Sequence, residues 1–386
     1  MEKIKIGDVC DILNGYAFKS ENYVDSGIRI IRIANVQKGY IEDTSPAFYP
    51  LNATGLDRYR LVKNDLLISL TGNVGRVALL DQSLLPAALN QRVACLRLKT
   101  DKVTKKYLYH ILNSDFFERQ CIQAAKGVAQ KNMSTEWLKD YEIPLCAKEE
   151  QEKIIKVLDC VQRIIVNYKQ ELQKLDELVK SRFIELFGVY PSNPKGWETA
   201  TIRDIVADVR YGSSRPAVDG GKYPYLRMNN ITYGGELDLT DTKRIDIPDN
   251  ELDKCTVRRG DVLFNRTNSK ELVGKTCVYN RDEMMVLAGF VIRVRVTDRV
   301  LPEFLSAFLN TDFSKQMLLG MCKAAIGQAN INAQEMQNIG IYLPPTELQR
   351  QFVQFKKQTD KSKFVVQQAL DKAQLLFDSL MQKYFG

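Results

Sequence analysis

The sequence predicts an α+β fold made by tandem duplication, in which a mixed α/β globule followed by a long helix occurs twice. Three observations predict this fold. The two halves of the 386-residue chain match each other at a nearly constant offset, each half carries short strand-like runs broken by Gly, Asn and Asp, and each closes on a long stretch without Gly or Pro. We expect the two long helices to pack as an antiparallel coiled coil with pseudo-twofold symmetry.

The duplication is visible as identities at offsets of 195 to 198 residues. The stretch LNSDF (112–116) matches LNTDF (309–313), and other matching pairs are Asp65 with Asp261, Thr71 with Thr267, Asn132 with Asn330 and Gln151 with Gln349. Chance identities would scatter in offset, whereas two copies separated by small loop insertions give this slow drift. A repeat of this length indicates a repeated structural unit.

Each copy has the same order of predicted elements. The strand-like runs are IRIIRIANV, DLLISLTG and VACLRLK in the first copy and YPYLRMNNI, DVLFNRTN and FVIRVRV in the second. Gly, Asn and Asp punctuate these runs as turn residues do. Short helices are predicted around 105–121 and 302–321. This order indicates a mixed globule of strands and helices in each copy.

The last part of each copy, 149–187 and 347–384, predicts one long helix. Its apolar residues recur in alternating steps of four and three, which is the 3.5-residue period of a coiled-coil seam. The predicted seam consists of Ile154, Leu158, Val161, Ile165, Leu172, Leu175 and Val179 in the first helix and Phe352, Phe355, Val366, Ala369, Ala373, Leu376 and Leu380 in the second; Tyr168, Thr359 and Ser362 fill the remaining positions of the pattern. Antiparallel pairing within the chain is preferred; parallel pairing, or pairing of one helix with another protein, stays open.

A boundary between the copies is predicted at VYPSNPKGWE (189–198). Pro191, Pro194 and Gly196 stop the preceding helix and redirect the chain there. The predicted segments are therefore the first globule, 1–147; the first long helix, 148–188; a linker with the second globule, 189–343; and the second long helix, 344–386.

The composition excludes several classes of protein. A single histidine, His110, rules out sites that need two imidazoles, such as a His-rich zinc site. The eight cysteines contain no C-x-x-C pattern and are typical of reduced thiols. The longest apolar run, 284–292, is too short to cross a membrane. We therefore expect a cytoplasmic protein with no membrane partner.

No motif supports catalysis. The nearest is SKELVGKT (269–276), in which Ser269 stands where a phosphate-binding P-loop requires Gly. Carboxylates do not cluster at the spacing that metal ligands need. We predict no catalytic residue, no metal site and no cofactor bound by this chain.

Basic and amide side chains in the loops are the candidate DNA-binding residues. Arg, Asn and Gln can contact guanine and adenine edges in the major groove, and Lys neutralises phosphates. The candidates are Lys19, Arg58, Arg76, Arg92, Lys126, Gln130, Lys131 and Asn132 in the first copy and Arg215, Arg227, Arg266, Asn268, Lys270, Lys275, Gln328 and Asn330 in the second. Together they favour a surface that binds a polyanion.

The net charge gives this hypothesis little support. Lys and Arg outnumber Asp and Glu by 55 to 47, a formal net charge of +8. Residues 1–147 carry 20 basic and 16 acidic side chains, whereas residues 197–343 carry 19 of each. The neutral second globule leaves an alternative open, a two-headed scaffold whose globules bind proteins without reading a DNA sequence.

Several stretches resemble the specificity subunits of type I restriction-modification systems, over essentially the whole chain. They are NGYAFKSENY with IRIIRIANVQKGYI, DLLISLTGNVGRVALL, KNMSTEWLKDYEIPL running into EEQEKII, PKGWE, and NINAQEMQNIGIYLPPTELQRQF. The second copy departs from the pattern where GSSRPAVDGG replaces GYAFKS, and the first where Cys146 and Ala147 replace a pair of prolines. The first departure puts in doubt whether both halves contact DNA with equivalent residues.

The resemblance implies that each globule is a target recognition domain that reads one half of a bipartite, asymmetric sequence in double-stranded DNA. The helical pair would set the spacer and dock two modification (methyltransferase) subunits. Those subunits would hold S-adenosylmethionine and methylate adenine, and restriction (motor-nuclease) subunits would join them for cleavage. The chain itself would be a non-catalytic recognition subunit.

Overall fold

The computed structural model describes residues 2–125, 132–269, 271–322 and 329–386. The chain divides into two compact units, the first made of Met1–Gln170 and Gln367–Gly386 and the second of Glu171–Val366. Each long helix is thus shared between the units, which cut across the four segments predicted from the sequence. Strands and helices mix in both units, and the predicted α+β class is confirmed.

The first unit begins with a globule of short strands and helices. Its strands are β1 (Glu2–Lys5), β2 (Cys10–Asn14), β3 (Ile28–Ile31), β4 (Phe48–Tyr49), β5 (Arg60–Leu61), β6 (Leu66–Ser69), β7 (Val77–Leu79), β8 (Ala87–Leu89), β9 (Val93–Leu98) and β10 (Glu142–Leu145). Its helices are α1 (Ile6–Val9), α2 (Lys105–Leu112), α3 (Asp115–Ala124) and α4 (Thr135–Asp140), followed by the long helix α5 (Lys148–Phe187).

The second unit repeats this arrangement. Its strands are β11 (Glu198–Thr201), β12 (Val206–Tyr211), β13 (Tyr223–Leu226), β14 (Lys243–Ile245), β15 (Thr256–Val257), β16 (Val262–Asn265), β17 (Thr267–Asn268), β18 (Thr276–Val278), β19 (Met285–Leu287), β20 (Val291–Val296), β21 (Ala329–Asn330) and β22 (Gly340–Leu343). Its helices are α6 (Asp249–Cys255), α7 (Pro302–Leu309), α8 (Asp312–Met321) and α9 (Ala333–Gln337), followed by the long helix α10 (Thr346–Phe385).

The sheets of the two units have the same topology. In the first unit, one four-stranded sheet has the order β2-β9-β6-β7 and another the order β4-β3-β8-β5; in the second unit the orders are β12-β20-β16-β18 and β14-β13-β19-β15. Only β3 with β8, and its counterpart β13 with β19, pair in parallel within these sheets. The duplication predicted from sequence identities is therefore a duplication of strand order as well.

One repeated polar contact explains why an Asp recurs at an offset of 196. Asp65 is buried and accepts hydrogen bonds from Arg97 Nε at 3.0 Å and Nη2 at 2.7 Å. In the second unit, Asp261 accepts from Arg295 Nε at 2.8 Å and Nη2 at 3.3 Å. A buried carboxylate needs such a paired cation, because its desolvation is otherwise costly.

A buried glutamine ties the first long helix to its globule. Gln151 Oε1 accepts from the Thr104 backbone N–H at 2.9 Å, just before α2. Its Nε2 donates to the carbonyls of Lys102 at 2.8 Å and Cys146 at 2.9 Å. Gln151 thus satisfies three backbone groups that would otherwise lack partners.

The second unit repeats this arrangement at Gln349. Its Oε1 accepts from the Leu301 N–H at 2.8 Å, and its Nε2 donates to the carbonyls of Pro344 at 2.8 Å and Arg299 at 3.2 Å. The identity at an offset of 198 therefore preserves the joint between globule and helix in both copies.

Replacing this glutamine should destabilise either unit. We expect Gln151→Ala to lower the free energy of unfolding by about 2–4 kcal/mol, because it leaves buried backbone groups unsatisfied. Urea denaturation of the full chain measures the effect. Gln173→Ala is the matched control, since Gln173 is exposed on α5 and its side chain donates a hydrogen bond to Glu177. Equal effects of the two substitutions would contradict the role assigned to Gln151.

The long helices run antiparallel within each unit. In the first unit, the core that contains Ile154, near the start of α5, also contains Met381 and Phe385, at the end of α10. In the second unit, Phe352 near the start of α10 packs edge-on against Phe183 near the end of α5, with ring centroids 5.3 Å apart. The predicted antiparallel pairing is confirmed.

Most of the predicted seam faces inward. The buried members are Ile154, Leu158, Val161, Ile165 and Phe352, and the half-buried members are Leu172, Leu175, Val179, Phe355, Val366, Ala369, Ala373 and Leu380. The prediction for Leu376 is wrong: this side chain is 51% exposed, and Phe377 packs against the first-unit core in its place. The end of α10 packs against the globule of the first unit, where the ring centroids of Phe385 and Tyr107 lie 5.6 Å apart.

Candidate nucleic-acid interface

Several loops meet at one edge of the larger sheet in the first unit. The end of β2 and the end of β6 both lie beside the start of β9, because Asn14 pairs with Ala94 and Ser69 with Val93. The loops that continue from these strand ends are therefore neighbours. We call this set of loops, residues 15–19, 70–73, 90–92 and 132–133, the loop edge of the first unit.

Backbone hydrogen bonds fix the loop edge. The Tyr16 carbonyl accepts from the Gln91 N–H at 2.9 Å, and the Leu70 N–H donates to the Arg92 carbonyl at 2.9 Å. The Leu70 carbonyl in turn accepts from the Met133 N–H at 2.8 Å. The loops are thus held to one another by main-chain contacts, which do not depend on which side chains the loops carry.

The second unit has a loop edge built on the same hydrogen bonds, residues 212–215, 266–269, 288–290 and 330–331. The Ser213 carbonyl accepts from the Gly289 N–H at 2.7 Å, and the Arg266 N–H donates to the Phe290 carbonyl at 3.0 Å. The Arg266 carbonyl accepts from the Ile331 N–H at 2.9 Å. Each bond has its counterpart in the first unit.

A glycine opens both loop edges for the same reason. A Cβ atom on Gly15 would overlap the backbone of Asn90, and one on Gly212 would overlap the carbonyl of Leu287. Only glycine permits this close approach of two main chains. The sequence motif NGYAFKS therefore owes its glycine to packing.

Among the described residues, the predicted binding residues of the first unit differ in exposure: most are exposed, and one is half-buried. Arg92, Lys19 and Asn132 lie on the loop edge with exposed side chains. Arg58 is exposed too, with its guanidinium 4.6 Å from the ring centroid of Tyr59 and a hydrogen bond to the Tyr59 hydroxyl. Arg76 is half-buried and donates to Gln37.

The predicted binding residues of the second unit more often form hydrogen bonds or ion pairs with other groups of the protein. Arg215 donates to Glu251 from Nε and Nη2, at 3.2 Å and 2.7 Å, and Arg227 donates to Asp241 at 2.8 Å. Lys275 is buried, and its Nζ donates to the Met228 carbonyl at 2.9 Å. Burial lowers the pKa of Lys275.

The other described candidates of this unit lie at or near its loop edge. Arg266 is half-buried, with its guanidinium 4.8 Å from the ring centroid of Tyr211. Asn330 is exposed on β21, and Asn268 is half-buried on β17. Strands β17 and β21 pair with each other. Five predicted residues lie outside the described part of the chain: Lys126, Gln130, Lys131, Lys270 and Gln328.

An aromatic cluster beside the first loop edge was not among the predicted site residues. The ring centroid of Tyr16 lies 5.0 Å from that of Phe18 and 5.2 Å from that of Tyr59, and Phe18 lies 4.9 Å from Tyr49. Tyr16 is partly exposed, and Arg58 stacks on Tyr59. The aromatic residues of NGYAFKSENY are the signal in the sequence, because aromatic side chains next to cations are typical of nucleic-acid surfaces.

His110 has a structural environment. Its ring is buried on α2, and Nε2 lies 2.9 Å from Asp159 Oδ1 on α5. Burial lowers the pKa of His110, and the hydrogen bond to Asp159 opposes this shift. Within the described ranges, no three His, Cys, Asp or Glu side chains are grouped to hold a metal ion. No helix in these ranges combines the length and apolarity needed to cross a membrane.

Comparison with known proteins gives one consistent family. A profile described as the type I restriction modification DNA specificity domain matches residues 1–177 and again residues 194–372. The chain is 22% identical to the type I restriction enzyme EcoKI specificity subunit of Escherichia coli K12, covering 98% of this chain and 87% of that protein. It is 24% identical to the EcoBI specificity subunit of Escherichia coli, covering 99% and 85%.

Solved structures share the fold. The S subunit of a type I restriction-modification system from M. genitalium superposes with a TM-score of 0.58 at 16% identity, covering all of this chain and 96% of that one. A chain from a structural study of type I R-M complex assembly and conformational transition gives a TM-score of 0.60 at 18% identity, covering all of this chain and 97% of that one. At these identities the likeness concerns the fold.

Proposed function

The chain belongs to the type I restriction-modification DNA specificity family, and from that premise we propose that it selects the DNA sequence on which such a complex acts. Each globule reads one half of a bipartite target in double-stranded DNA, at its loop edge. The helical pair sets the distance between the halves. The chain itself carries out no chemistry on the DNA.

The observation that carries this proposal is one backbone frame that presents two sets of side chains. The hydrogen bonds of the two loop edges correspond one to one, whereas Tyr16 and Arg92 of the first edge are replaced by Ser213 and Phe290 in the second. A fixed frame with variable side chains can bind DNA in the same way twice and contact different bases each time. The target is therefore asymmetric.

The exposed faces of the long helices support the docking of partner subunits. In the second unit, Phe364 and Val365 on α10 and Leu178 and Ile184 on α5 are exposed apolar residues. Phe364 and Val365 are adjacent, and contiguous exposed apolar side chains are typical of a surface that another protein covers. Two modification (methyltransferase) subunits dock on these helices, and restriction (motor-nuclease) subunits join the complex.

The methyl donor belongs to the partners under this proposal. The modification subunits hold S-adenosylmethionine and transfer its methyl group to adenine, and this chain only positions them. Transfer of a methyl group to DNA by the isolated chain would contradict this division of roles.

The decisive experiment is to co-express the chain with its cognate modification subunit and to map methylated adenines across the genome. We expect one bipartite motif with two different half-sites and a spacer of fixed length. Methylation without a sequence motif would contradict the proposal. A motif that is the same with and without this chain would contradict it too.

The alternative is a scaffold whose two globules bind proteins, and the second unit favours it most. Its net charge is zero over residues 197–343, and Arg215 and Arg227 are paired with carboxylates. Salt separates the two functions: a DNA reader loses affinity steeply between about 50 and 200 mM salt, in proportion to its phosphate contacts. Equal binding of the assembled complex to all duplexes at moderate salt would favour the scaffold.

A further inference from the structure

The two loop edges carry an arginine on opposite sides of the same backbone hydrogen bond. In the first unit, the Leu70 N–H donates to the carbonyl of Arg92. In the second unit, the N–H comes from Arg266 and the carbonyl belongs to Phe290. Arginine and apolar residue have thus exchanged places on an unchanged frame. This exchange is the most direct chemical difference between the two edges.

Both arginines have hydrogen-bonding capacity to spare. Arg92 is exposed, and within the described residues its side chain has no hydrogen-bond or ion-pair partner. Arg266 is held in place by the ring of Tyr211, while its Nε is buried and has no hydrogen-bond partner in the described part of the chain. The hydrogen-bond and ion-pair contacts of the described residues include none from the Arg266 guanidinium, so its outer nitrogens are available to a ligand.

The remaining described arginines among the candidates are less available. Arg215 and Arg227 form ion pairs with Glu251 and Asp241. Arg58 is bound to the ring and hydroxyl of Tyr59, and Arg76 donates to Gln37. A base contact from any of these four would first have to replace an internal contact. Among the described members of this group, only Arg92 and Arg266 lie on a loop edge with a guanidinium that makes no hydrogen bond or ion pair within the protein.

Resting on the proposed function, we propose that Arg92 and Arg266 determine the base specificity of the first and second units, each by a bidentate contact to one guanine of its own half-site. The guanidinium fork matches O6 and N7 of guanine in the major groove, which no other base presents. Phe290, at the position of Arg92, is 51% exposed and supplies an apolar contact of the kind that favours a thymine methyl group. The exchange across one hydrogen bond makes the two half-sites different.

Single substitutions test the assignment in the assembled complex. With the wild-type chain, replacing the contacted guanine in the mapped duplex should weaken binding about 5- to 150-fold, the usual discrimination of a bidentate contact. With Arg92→Ala, one position of one half-site should lose this discrimination. With Arg266→Ala, one position of the other half-site should lose it. All other positions stay as specific as before.

Conservative and remote substitutions complete the design. Arg92→Lys and Arg266→Lys keep the charge and lose the fork, so they should relax the same positions as the alanine variants. Arg299→Ala removes an exposed arginine that is bound to Glu198 and should relax none. Thermal unfolding of each variant shows whether the chain is folded. If Arg266→Ala is not folded, Arg266→Lys tests the same position.

The results separate this inference from the function on which it rests. A wild-type complex without any sequence motif contradicts the proposed function. A normal wild-type motif that survives unchanged in the arginine variants contradicts only the assignment of Arg92 and Arg266. Relaxation of the same half-site by both variants, or uniform weakening at all sequences, also overturns the assignment, since the latter is the behaviour of a phosphate contact.

Discussion

Adding four residues to both long helices should lengthen the unread spacer of the DNA target by one to two base pairs and leave both half-sites unchanged. Four helical residues add about 6 Å and a net rotation of about 40°. One to two base pairs add about 3.4–6.8 Å and turn the duplex by about 35–70°. The inserted helical residues and the added base pairs therefore give similar increases in length and similar right-handed rotations.

The division of the chain gives the insertion points. It falls between Gln170 and Glu171 in α5 and between Val366 and Gln367 in α10. Insertion there leaves the core of each unit intact. Both helices must be extended, because they pair antiparallel in both units and an unmatched insertion would shift one seam against the other. Methylation mapping with the extended chain gives the spacer length.

An insertion in α5 alone is the control for this experiment. It should lower the midpoint of thermal unfolding, because the two helices no longer match in length, and the matched insertion should restore that midpoint. If a chain with insertions in both helices is well folded and its complex still methylates the original motif, the helices do not act as a spacer. So would a variant that changes the sequence of a half-site.

Phe352→Ala should destabilise the second unit by about 3–5 kcal/mol, the usual cost of truncating a buried aromatic side chain. Phe352 is fully buried and packs against Phe183 and Phe187, with ring centroids 5.3 Å and 5.7 Å away. These contacts join the start of α10 to the end of α5. Urea denaturation, followed by circular dichroism, measures the loss.

Phe364→Ala is the matched control on the same helix. Phe364 is 64% exposed, and its truncation should change the free energy of unfolding by no more than about 0.5 kcal/mol. It should nevertheless weaken binding of the modification subunit if the exposed helix face is a docking surface. If Phe352→Ala is as stable as Phe364→Ala, Phe352 does not hold the helix pair together.

The repeat and the helices could be predicted because their signals lie along the chain. The sequence predicts a helix over 149–187, because this stretch lacks Gly and Pro and its apolar residues keep one period, and the observed helix is Lys148–Phe187. The exchange of Leu376 for Phe377 could not be predicted. It depends on the globule against which the end of α10 rests, and the periodicity of a single helix carries no information about that neighbour.

The candidate site could be predicted only as a list of residue types. Loop position and chemistry pointed to Arg92, Arg215 and Arg266 alike. The sequence separation of 36 residues between Arg215 and Glu251 hides their ion pair, and nothing in the sequence links the Arg266 amide to the Phe290 carbonyl. Register between strands brings these residues together, and that register is set by the packing of the whole sheet.

The sequence by itself therefore determined the duplication, the two long helices and the family of the chain, because identity at a fixed offset and periodicity along a helix are properties of the linear chain. Only the tertiary structure decided which loop cations are free to meet DNA. The Arg92 guanidinium makes no hydrogen bond within the described residues, whereas the Arg227 guanidinium donates to Asp241. The physical reason is that the partner of a side chain is fixed by long-range contacts, which a single sequence does not display.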